Sequence, residues 1–136
     1  MIIAKNFTFE SAHMIVGHPH CGRVHGHTWT LTVFLEDNVL NKDGMILDFS
    51  ILGGIVKTLT NKLDHRMINE VIAEDEFYLK RGLPVTAETL VMWFVKNIEK
   101  DLEVFEGGKH MPLAIGARLQ EGPGGWAEYW NGEVMG

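Results

Sequence analysis

Apolar and polar residues alternate with a period of two from the start of the chain. In IIAKNFTFESAH, Phe7, Phe9, Ser11 and His13 share one face of a strand, with Asn6, Thr8 and Glu10 on the other. A loop rich in glycine, proline and histidine follows, and the alternation resumes more cleanly in HGHTWTLTVFLE. There His25, His27, Trp29, Leu31, Val33 and Leu35 lie opposite Gly26, Thr28, Thr30, Thr32, Phe34 and Glu36. The apolar face of this second strand therefore ends in two histidines. NVLNKDG reads as a turn and MILD as a short strand.

The period then changes to that of a helix. Asp48 is placed to cap a helix from about Phe49 to Leu63, whose buried stripe is Leu52, Ile55, Val56, Leu59 and Leu63. INEVIAEDEFYLKRGLP is acidic and reads as a loop with a helical turn. Thr86 caps a second long helix that turns Leu90, Val91, Phe94, Ile98 and Leu102 toward the core, with Glu88 favourable in its first turn. PLAIGARLQE is a strand carrying Leu113, Ile115, Ala117, Leu119 and Glu121 on one face; GPGG turns the chain, and WAEYWNG closes it as a strand. Hairpins at both ends with helices between predict an α+β fold, an antiparallel sheet with two helices on one face.

Composition narrows the class. At 136 residues the chain is expected to form a single domain, 1–136, with 46% hydrophobic and 22% charged residues. No apolar run reaches the ~20 residues of a membrane helix, and MIIAKNFTFE lacks the marks of a secretory signal. One cysteine cannot make an internal disulfide, which favours a reducing, cytoplasmic home. A net charge of −6 with no basic run argues against nucleic acid as a partner. Membrane association is not expected either.

The chemistry concentrates in HCGRVHGH, residues 20–27, which holds three of seven histidines and the only cysteine. Histidines at i and i+2 on a strand point to one side, so His25 and His27 can offer two imidazoles to one ion. His13, ending the first strand on its apolar face, is the natural third ligand if the two strands pair. Three histidines without a cysteine ligand suit a zinc site open to water or a substrate hydroxyl. A hydrogen-bonded H-x-H pair without metal is the alternative. Cys21 lies among His20, Gly22 and Arg23, a polar and electropositive setting of the kind that activates a thiol, although an incidental thiol fits equally. His18, His20 and His110 read as solvent-facing loop residues. Asp64 and His65 adjoin at a helix exit, and adjacent residues seldom face each other. Glu121 continues an apolar face, where a carboxylate is costly unless paired; it can accept two hydrogen bonds from a planar N–H edge.

Taken in series, FTFESAH, CGRVHGH, GMILDF, LDHRMIN, TAETL and QEGPGGWAEY resemble the 6-pyruvoyl-tetrahydropterin synthase family, which includes bacterial 6-carboxy-tetrahydropterin synthase. The resemblance covers nearly the whole chain. It implies the tunnelling fold (T-fold), a four-stranded antiparallel sheet that oligomerises into a β-barrel, with hexamers typical and active sites between subunits. It implies zinc on His13, His25 and His27, Cys21 as thiol acid/base, Asp64 and His65 as a relay, and Glu121 as anchor of the pterin's amino-pyrimidine edge. Thr86 and Glu88 would lie near the pterin. The implied substrate is 7,8-dihydroneopterin triphosphate, converted to 6-carboxy-tetrahydropterin with loss of acetaldehyde and triphosphate, toward 7-deazaguanines such as queuosine. Pyruvoyl-forming members keep the side-chain carbons, and a third branch makes 6-hydroxymethyl-dihydropterin. That branch tends to place Glu near the cysteine's position, so Cys21 points away from it. The family's P-T-A-E-N reads Pro84, Val85, Thr86, Ala87, Glu88, Thr89 here, and Gly122 replaces the usual Thr or Ser. A silent zinc- or pterin-binding relative, or a zinc hydrolase, is a competing class.

Overall fold

The computed structural model describes residues 1–106 and 110–132, so the expected domain span 1–136 includes residues 107–109 and 133–136 that lie outside the described part. In chain order the elements are β1 (Ile2–His13), β2 (His25–Glu36), α1 (Phe49–Leu63), β3 (Arg66–Met67), α2 (Ile68–Val71), α3 (Glu76–Arg81), α4 (Ala87–Glu106), β4 (Ala114–Glu121) and β5 (Gly125–Trp130). The sheet order is β3-β1-β2-β4-β5. The four long strands are antiparallel, as expected from the alternation; the fifth is the two-residue β3, which pairs parallel to β1 at Ser11 and Ala12.

The MILD segment is not a strand. Asn41 Oδ1 accepts from the amides of Asp43 and Met45, and Asn41 N donates to the Met45 carbonyl. This turn spends the local hydrogen-bonding groups, so Leu47 plugs the core instead of joining a ladder, and Asp48 Oδ1 caps α1 through Ser50 N at 2.7 Å. The acidic stretch after α1 contains two short helices rather than one turn. Asp75 caps α3 by accepting from Phe77 N, and Gly82, at φ 59°, ends it in the left-handed region.

One face of the sheet is buried. Phe7, Phe9, Trp29, Leu31, Val33, Leu35, Ile115, Ala117 and Leu119 meet Leu52, Val56, Leu59 and Leu63 of α1 and Leu90, Val91, Phe94, Ile98 and Leu102 of α4. α1 lies over β1, and α4 over β4 and β5. Each fully buried aliphatic or aromatic side chain contributes about 1.5–3 kcal/mol. The register of β1 on β2 runs from Ile2↔Glu36 to His13↔His25, so the core ends where the histidines begin. Among the described residues no helix is long and apolar enough to cross a membrane.

Candidate metal centre

Register alone assembles the site. His13 pairs directly with His25, and His27 follows two positions along the same face of β2. The ring centroids of His13 lie 4.5 Å from those of His25 and 5.3 Å from those of His27. β4 enters the same end of the sheet with Glu121 opposite Trp29. Its Oε1 reaches 2.7 Å from His27 Nε2 and 3.3 Å from His13 Nε2. Glu121 stays a quarter exposed at this edge, which leaves its carboxylate partly solvated. One donor atom from each of His13, His25, His27 and Glu121 lies within 4.8 Å of the others.

The outer ring nitrogens are already committed. His13 Nδ1 is 3.0 Å from the Val85 carbonyl, and His25 Nδ1 is 2.7 Å from the Arg23 carbonyl. A carbonyl only accepts, so each Nδ1 carries the proton and each Nε2 lone pair is left bare. This is the orientation that metal-ligating histidines are given by their outer partners. The Nε2 atoms of His13 and His27 are buried and have no hydrogen-bond partner, because the Glu121 oxygen is close to them without being aligned. Burial, the largest influence on His27, holds its pKa below the ordinary imidazole value, with Glu121 opposing and His13 and His25 adding to the shift. The ring stays neutral, the form that ligates. Three converging imidazoles, two of them with orphaned nitrogens, fit a zinc-type divalent ion.

The remaining sequence-derived residues fall in three places. Cys21 is half-buried in the loop between β1 and β2, and its sulfur is not one of the converging donors. Asp64 and His65 do face each other: Asp64 Oδ2 is 2.9 Å from His65 Nδ1. Adjacent residues achieve this because His65 has φ 58°, the one non-glycine in the left-handed region among the described residues. The turn is locked from both sides, as His65 N donates to the Glu10 carbonyl at 2.6 Å and Glu10 N donates to Asp64 Oδ1 at 2.8 Å. Those hydrogen bonds, the Glu10 bond first, hold the Asp64 pKa below the usual carboxylate value. His65 and His27 line one cleft of about 470 Å³, together with Glu10, Gly26, Thr28 and Arg66. Thr86 and Glu88 begin α4. Thr86 Oγ1 accepts from Thr89 N while Thr89 Oγ1 accepts from Thr86 N, a reciprocal cap, and Glu88 is exposed.

Sequence reasoning missed the Val85 carbonyl, which orients His13, and Asn69, whose amide clamps Met14 N and O at 2.9 and 3.0 Å just beyond that ligand. No backbone acceptor leaves a signal in side-chain pattern. Asn69 sat within LDHRMIN and was readable only as part of a motif. His110 is exposed, as expected, and from the surface it also pairs with buried Asp37.

Comparison with known proteins places this geometry. The profile described as 6-pyruvoyl tetrahydropterin synthase matches residues 2–132. A chain from Archaeoglobus fulgidus with the provisional name 6-carboxy-5,6,7,8-tetrahydropterin synthase is 35% identical over 104 residues, covering 76% of this chain and 82% of the other. The dihydroneopterin monophosphate aldolase of Pyrococcus furiosus is 30% identical, covering 70% and 72%. The structure of Plasmodium falciparum 6-pyruvoyl tetrahydropterin synthase superposes with a TM-score of 0.74 at 20% identity, over 96% of this chain and 97% of that one.

Proposed function

The chain belongs to the 6-pyruvoyl tetrahydropterin synthase family, and from that premise we propose that it is a zinc-dependent lyase acting on 7,8-dihydroneopterin triphosphate. The products are 6-carboxy-5,6,7,8-tetrahydropterin, acetaldehyde and triphosphate, on the route to 7-deazaguanines. The observation that carries this reading is the convergence of His13, His25 and His27 with two buried Nε2 atoms left unpartnered. A zinc ion held there supplies Lewis acidity toward the adjacent hydroxyls of the substrate side chain.

The chain's own groups do the rest. The carbonyls of Val85 and Arg23 keep the His13 and His25 rings turned inward. Asp64 holds the Nδ1 proton of His65, which leaves Nε2 as the base. Cys21 is the second proton-transfer group, acting on the other face of the side chain. Glu121, a quarter exposed, accepts from the planar N–H edge of the pterin. Thr86 and Glu88 border that ring. We assign Asp64 and His65 to a site completed by a second copy of the chain, in a cytoplasmic homo-oligomer built as a dimer of trimers.

A second reading is aldol-type cleavage to 6-hydroxymethyl-dihydropterin, favoured by the Pyrococcus furiosus relative. Incubating the zinc-loaded protein with dihydroneopterin triphosphate and weighing the pterin decides. The 6-carboxy product is expected. A hydroxymethyl or pyruvoyl product overturns the assignment, and an unchanged substrate leaves only a binding protein.

A further inference from the structure

The loop between β1 and β2 carries the only thiol, and one imidazole organises it. His18 Nδ1 lies 2.9 Å from Cys21 N and 3.2 Å from His20 N. Backbone amides only donate, so Nδ1 is bare and the neutral ring keeps its proton on Nε2. Nδ1 is bonded to Cγ, as Oδ1 is in asparagine, and here the imidazole fills the role that Asn and Asp side chains fill in turns. The main chain closes around the same residue. His18 N donates to the Ile15 carbonyl at 3.1 Å, Gly22 N to the His18 carbonyl at 3.0 Å, and Ile15 N to the Cys21 carbonyl at 2.7 Å. A Cβ at Gly22 would sit 2.5 Å from the His18 oxygen, so this closure requires glycine there.

We propose that His18 is a positioning residue, whose Nδ1 fixes the backbone on which the Cys21 thiol is mounted. The proposal rests on the reading of Cys21 as the proton-transferring thiol. His18 and its neighbours from Gly17 to His20 are exposed, so no apolar packing holds this approach to Cys21, and hydrogen bonds must. Two accepted bonds converging on residues 20 and 21 supply that constraint at the backbone of Cys21 itself. The imidazole has no contact with substrate in this scheme and acts only through the loop.

His18→Phe keeps a ring and removes the acceptor; His18→Asn restores an acceptor at the same branch point. In the Phe variant, kcat is expected to fall about tenfold with KM within about twofold, and in the Asn variant kcat should return to within about threefold of the parent. The alkylation rate of Cys21 by iodoacetamide, read without turnover on the sole thiol, should differ from the parent in the Phe variant and match it in the Asn variant. Parent-like alkylation in the Phe variant overturns the proposal, as does failure of Asn to restore it. If Cys21→Ala turns over normally, the catalytic role of the thiol is lost, and the alkylation series alone still decides whether His18 sets the loop.

Discussion

Single side chains at the site make separable predictions. His25→Ala removes one of three imidazoles, and metal content after dialysis should fall by at least about tenfold, measured by atomic emission. Cys21→Ala should keep its metal while turnover drops by about a hundredfold or more, since proton transfer by a placed group is worth that much. Glu121→Gln should weaken pterin binding more than metal binding; equal loss of the two would make Glu121 a structural partner of the histidines instead. Away from the site, buried Asp37 accepts from His110 first and then from the amides of Val39 and Asn38, and these bonds hold its pKa below the usual value. A depressed carboxylate stabilises the fold above its unfolded pKa, and that contribution is lost as pH falls through the folded one. Asp37→Asn should therefore melt below the parent at neutral pH, with the gap closing on acidification below about pH 4. The convergence of His13, His25 and His27 was legible because strand alternation fixes which side chains share a face. The pairing of Asp37 with His110 spans 73 residues, and no local pattern encodes it.

At the level of elements, what could be read was whatever carried its own signal. The alternation of β1 and β2 and the capped, striped helices α1 and α4 emerge with little change in bounds. The MILD segment has strand-like composition but no partner, since Asn41 spends its backbone groups on a turn, and the sheet's outer position goes to Arg66–Met67. Asp75 and Gly82 mark the ends of α3 in the sequence, but helices this short lack a full apolar stripe to confirm them. Thr86 caps α4 through its hydroxyl, so part of what looked like a ligand contact serves the helix. On the hairpin of β4 and β5, the Trp130 ring lies over Gly116, where a Cβ would come within 2.4 Å of it, and stacks on Phe34 at 5.5 Å. Gly116→Ala should cost about 1–3 kcal/mol in chemical denaturation by forcing that ring away. A cost near zero would mean the Trp130 ring moves freely.

For the whole molecule, among the described residues β3 pairs with β1 at Ser11 and Ala12, and β5 stands last in the sheet order, beside β4. β1 and β5 differ in sequence, so joining one copy's β5 to the next copy's β1 would be a heterologous contact, the kind that the proposed barrel needs to close as a ring. Native mass spectrometry is expected to find multiples of three chains. An oligomer with a cleft between copies is implied by the family resemblance alone, since residue pattern describes one chain at a time. One dihedral has a further consequence. At His65 the backbone adopts a left-handed turn that favours glycine. Selection of random variants for heat tolerance alone would enrich glycine at this position, and each such clone would survive a hotter challenge while having lost the imidazole that the proposed mechanism uses as its base. Durability and turnover pull that codon in opposite directions.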